Sequence, residues 1–133
     1  MKEIEFLKKR AQKFYRNALE LFEKGDYDLS AFNLEQALQL YLKYLIAKKL
    51  GEWPQTHYLD ELIDKLSETY DRPEFKKYKE DNELFFDDLS DAYFQSRYYP
   101  KEYNKNLVSK LLEGFKNFIK FIENNLNEKF DSN

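Results

Sequence analysis

Apolar residues recur at spacings of three and four along almost the whole 133-residue chain. A period near 3.6 gathers such residues onto one face of a helix, so the pattern confines the chain to packed helices. Ile, Val and Thr never form the alternating run that a strand requires, and glycine and proline occur only three times each. With so few breakers the helices are long, and the breakers mark where they end.

The first segment carries Ile4, Leu7, Ala11, Phe14, Ala18, Leu21 and Phe22 on one stripe, with Lys8, Lys9, Lys13 and Glu20 elsewhere. That is a surface helix with one buried face. Gly25 stands where a helix C-cap belongs, and Asp26 is placed to accept from the free amides of the next helix. The second segment, Tyr27 to Leu50, carries Ala31, Leu34, Ala37, Leu38, Tyr41, Leu42, Leu45 and Ile46, and is apolar nearly all round. It reads as the central helix, ended by Gly51. Trp53-Pro54 leads to a short helix bearing Leu59, Leu62, Ile63 and Leu66, with Thr56 as its expected N-cap. The fourth helix, the third long one, begins near Pro73, is expected to bend or fray over the charged Lys76 to Glu83 stretch, and closes at Pro100. The last runs from Lys101 or Tyr103 to Leu126, leaving a tail at 127–133 that is expected to fray. The sequence therefore predicts one all-α domain over 1–133, an antiparallel up-and-down four-helix bundle with one short extra helix.

Charge and composition narrow the function. Twenty-five acidic residues against 22 basic ones give a net charge of -3, which argues against a broad phosphate-gripping surface and leaves room only for a small anion pocket. The absence of cysteine excludes disulfides and thiolate metal sites and leaves His57 and carboxylates as the only conceivable metal ligands; no metal and no cofactor is expected. No apolar run reaches the roughly 18 residues of a membrane span, and a soluble, cytoplasmic protein is predicted. Phe, Tyr and Trp make up 18% of the chain, enough to supply a core and a subunit contact.

Three stretches together carry a family resemblance: Ala31 to Lys43 (AFNLEQALQLYLK) on the central helix, Pro54 to Leu59 (PQTHYL) opening the short helix, and Ser96 to Pro100 (SRYYP) ending the fourth. In this order the chain resembles the HEPN domain family over nearly its whole length. The resemblance implies a helical bundle that pairs into a homodimer and is often encoded beside a minimal nucleotidyltransferase, with members that bind nucleotides or cleave RNA. In cleaving members an arginine and a histidine meet at the dimer interface, one steadying charge on phosphate and the other handling protons.

Arg97 matches that arginine, whereas the window in which the resemblance expects the histidine holds Glu102, Tyr103 and Asn104. Asn104 also occupies the position at which a related branch carries a modified tyrosine. Three readings follow. In the first, the chain is a non-hydrolytic homodimer that binds nucleotide or RNA phosphate through Arg97, or docks with a minimal nucleotidyltransferase. Tyr103, Glu35 and Lys43 are the further ligand candidates. In the second, it is a ribonuclease toxin of a toxin-antitoxin pair, with Arg97 served by Tyr103 or Glu102. In the third, it is a helical adaptor for another protein. His57, the sole histidine, reads as a residue that caps or packs the short helix, with ligand or proton-carrier roles as the alternative. Glu35 and Lys43, eight residues apart, are expected to form a structural polar pair on the central helix.

Overall fold

A computed structural model describes residues 2–98 and 102–131, with the backbone alone at Lys2 and at 95–98. The described chain forms six helices: α1 (Lys2–Glu23), α2 (Tyr27–Leu50), α3 (Leu59–Tyr70), α4 (Glu74–Asp81), α5 (Glu83–Tyr98) and α6 (Lys105–Leu126). No strand occurs among the described residues, and the fold is the expected all-helical bundle.

Its axis is α2. Ala31, Leu34, Ala37, Leu38, Tyr41, Leu42, Leu45 and Ile46 are all buried, and α2 packs against α1, α3, α5 and α6. Such a helix cannot present a polar face to water, which is why its sequence lacks a single stripe. The three residues between α1 and α2 force a tight antiparallel hairpin, with Gly25 in the left-handed region at φ 82°. Ser30 fastens this pair, its hydroxyl donating to the Ala18 carbonyl at 2.7 Å. Gly51, also at φ 82°, closes α2 with its amide on the Ala47 carbonyl.

Local capping departs from expectation at two places. Asp26 makes no side-chain cap at α2; its carbonyl instead accepts from the Ser30 amide at 2.9 Å. At α3 the N-cap position belongs to Tyr58, while Thr56 accepts from the Tyr58 amide at 3.2 Å and donates to Glu61 at 2.5 Å. Thr56 thus shapes the approach to the helix from two residues upstream.

The fourth helix predicted from the sequence is two helices. Asn82, at φ -123° and ψ 35°, interrupts the helical run, and its side-chain amide donates back to the Tyr78 carbonyl at 2.9 Å. Phe75 of α4 is completely buried, and beyond the break α5 buries Phe86, Leu89 and Ala92. Lys79 ties α4 to α3 through Asp60 and Asp64 at 2.6 and 2.7 Å.

The tail also corrects the expectation of fraying. Beyond Asn127, which caps α6 at φ 54°, the chain turns back and buries Phe130. Its ring meets Tyr15, Tyr41 and Phe115 edge-on, and its carbonyl accepts from the Gln12 side chain at 2.6 Å. Glu128 pairs with both Lys8 and Lys48. An apolar ring with so much to bury outweighs the disorder ordinarily gained at a chain end.

Candidate functional site

The corner between the end of α5 and the start of α6 holds most of the residues singled out by the sequence. Position 97 lies on the last turn of α5, and the side chain of Arg97 falls outside the described residues. The window that follows it is described. Glu102 is exposed to solvent. Asn104 is the N-cap of α6, its side-chain oxygen accepting from the Leu107 amide at 2.8 Å. That bond satisfies one of the free donors of the first helical turn and commits Asn104 to structure.

Tyr103 packs against the core and its hydroxyl oxygen is buried. Burial pushes its pKa up to about 12, and the carboxylates of Asp91, Asp88 and Asp28 act in the same direction. Each of these disfavours the phenolate. The hydroxyl therefore keeps its proton at neutral pH, and its surroundings are negative where a phosphate would need them positive.

Glu35 and Lys43 both lie buried on α2. Two turns separate them, roughly 12 Å along the axis. The Glu35 carboxylate accepts from the side-chain amides of Gln39 at 2.7 Å and Gln36 at 3.0 Å. Burial lowers the pKa of Lys43, and the charge of Glu35 opposes that shift. The two charges thus support each other inside an apolar helix, which is the minimum needed for either to be tolerated there.

The sequence reads His57 as a helix-capping or packing residue, and its place in the fold is more particular. Its exposed imidazole lies near-parallel to the Tyr93 ring of α5, centroids 5.5 Å apart and planes 19° from coplanar. Tyr93 in turn stacks on Phe32 of α2 at 6.5 Å and 17°. Phe94 meets Tyr93 edge-on at 4.7 Å and lies beside Tyr58 at 6.3 Å. Tyr93 precedes Arg97 by four residues, one turn of the same helix and about 6 Å along it. The fold therefore brings the chain's one imidazole to the arginine-bearing helix, far from it in sequence. The PQTHYL stretch and the aromatic pair Tyr93-Phe94 were the available signals, but no local spacing joins them.

A surface cavity of about 690 Å³ lies elsewhere, between the end of α2, residues 52–56 and α3. Trp53, Leu50 and Ile46 form its apolar wall, and Glu52, Glu61, Asp64 and Glu68 rim it. Lys65 is the one cation on that lining, and four carboxylates against it make the cavity unfavourable for phosphate. Among the described residues no group of His, Cys, Asp and Glu is placed to hold a metal ion, and no helix is long and apolar enough to cross a membrane.

The model of the HEPN domain matches residues 4–125. This chain belongs to the HEPN family. The HEPN fold is shared with TT1696 from Thermus thermophilus, whose crystal structure superposes with a TM-score of 0.75 at 23% identity, over 93% of this chain and 98% of that one. At that identity the likeness speaks for the fold alone. No curated protein gives a significant match.

Proposed function

We propose that this HEPN domain binds the phosphate of a nucleotide or of RNA through Arg97, as a homodimer, and does not cleave it. One observation supports the reading above all: the window after Arg97 holds no imidazole, and its phenol keeps its proton at neutral pH. Tyr103 is half-buried, with its hydroxyl oxygen enclosed and its pKa raised, and Asn104 is spent on capping α6. Glu102 is an exposed carboxylate without a described partner. Cleavage by the ribose hydroxyl needs both a base and a charge clamp, and an arginine alone supplies only the clamp. Glu35 and Lys43, buried on α2, fit a role in holding the bundle under α5.

The test is direct binding of AMP, ribose 5-phosphate and short single-stranded RNA to wild type and Arg97→Ala, with the molar mass of the protein measured alongside. Binding lost or weakened at least tenfold in Arg97→Ala, without RNA cleavage, is the expected result, in a particle of twice the 16.3 kDa chain mass. Equal or absent binding in both proteins overturns the phosphate reading and leaves docking to a minimal nucleotidyltransferase. RNA cleavage that Arg97→Ala abolishes would instead favour the ribonuclease toxin.

A further inference from the structure

Phosphate recognition alone would not distinguish a nucleotide from any other small phosphate, and the aromatic rings beside position 97 suggest how the rest of the ligand is held. His57, Tyr93 and Phe32 form a graded series: three near-parallel rings, of which His57 is the exposed member. Two flat rings already fix the plane of the third. The sole ring contact of His57 among the described residues is with Tyr93, and neither imidazole nitrogen has a hydrogen-bond partner there. Exposed Phe94 and Tyr58, at 41% and 55%, border the same surface. An imidazole held in orientation by stacking, with an open surface and unused polar edges, is what a flat heteroaromatic ligand requires.

We propose that His57, backed by Tyr93 and Phe32, stacks the base of the nucleotide whose phosphate Arg97 takes. The inference rests on the phosphate reading above and adds the ligand's second half. The stack and position 97 share one end of α5, since Tyr93 precedes position 97 by one helical turn, about 6 Å along the axis. Because every base has a π-face, the platform accepts purines and pyrimidines alike and favours the larger ring.

Calorimetric titration of AMP, adenosine and ribose 5-phosphate into wild type, His57→Ala, His57→Phe and Arg97→Ala tests this. Wild type is expected to bind AMP about tenfold or more tightly than ribose 5-phosphate. His57→Ala should erase that preference while leaving ribose 5-phosphate unchanged, and His57→Phe should retain it. His57 is exposed, so helical content and melting temperature should match wild type in both variants, and a loss of affinity cannot then be ascribed to unfolding. Adenosine separates this proposal from the phosphate reading. If adenosine binds and is weakened by His57→Ala but not by Arg97→Ala, the base platform stands even where phosphate recognition has failed. If neither AMP nor adenosine responds to His57→Ala, or if AMP and ribose 5-phosphate bind wild type equally, the platform is overturned.

Discussion

A phenol acts as a base only when its proton leaves near neutrality, and Tyr103, Tyr44 and Tyr41 are held in the opposite direction. Burial and neighbouring carboxylates push Tyr103 and Tyr44 up to about 12, and burial with the charge of Glu128 raises Tyr41 further. The consequence for stability has a definite sign. Below pH 10 these phenols are protonated in both the folded and the unfolded chain. Between 10 and 12 the unfolded chain loses those protons while the folded chain keeps them, so the folded state binds more protons and stability falls as pH rises. Denaturant midpoints measured from pH 8 to 12 should be level up to about 10 and then decline, with a shallower decline in Tyr103→Phe. A midpoint that rises across this interval would contradict the burial of these groups. At this scale the sequence named Tyr103 and Arg97 but could not tell that the Tyr103 hydroxyl is enclosed near carboxylates, because Asp28, Asp88 and Asp91 come to it from α2 and α5.

Helix breaks and crossings decide which faces can meet, and one glycine makes room for a ring where α5 meets α6. Gly114 lies in α6 against the Phe85 ring of α5, and a Cβ built at residue 114 would overlap that ring well inside van der Waals contact. Alanine favours an isolated helix over glycine by up to about 1 kcal/mol, whereas forcing a methyl into a packed contact costs about 1–3 kcal/mol. Gly114→Ala is therefore expected to lower stability by about 1–2 kcal/mol, read from urea unfolding, and Phe85→Leu should recover part of it. A stabilised Gly114→Ala would show that α5 can shift away freely. The glycines at 25 and 51 were legible as turn residues from their position at the end of an apolar stripe. Gly114, inside a stripe, gave no such signal, since its reason lies on another helix. The break at Asn82 was legible only as a bend or fraying, because a charged run reports reduced burial and not the residue at which the helical backbone stops.

The whole molecule is closed by its last residues. Phe130 fills a space walled by α1, α2 and α6, and Gln12 and Lys8 of α1 reach across to the same segment. Replacing a buried phenylalanine with alanine costs about 3–5 kcal/mol where the cavity cannot collapse. Phe130→Ala should therefore destabilise the entire bundle by about 3 kcal/mol in a single cooperative transition. A change below about 0.5 kcal/mol would show that the segment merely rests on the surface. Three consecutive polar positions at 127–129 make this tail look expendable, and one ring decides otherwise.

Helical class, the central place of α2, the turns at Gly25 and Gly51 and the HEPN resemblance were all fixed by residues close together in sequence, because a helix stripe and its cap are read over one or two turns. The tertiary structure alone decided the rest: His57 lies on Tyr93, Tyr103 is enclosed among carboxylates, Phe85 crosses over Gly114, and Phe130 is folded inward. Each of these joins segments on different helices or connections, and such a meeting is set by how buried surfaces pack together, which no local spacing encodes.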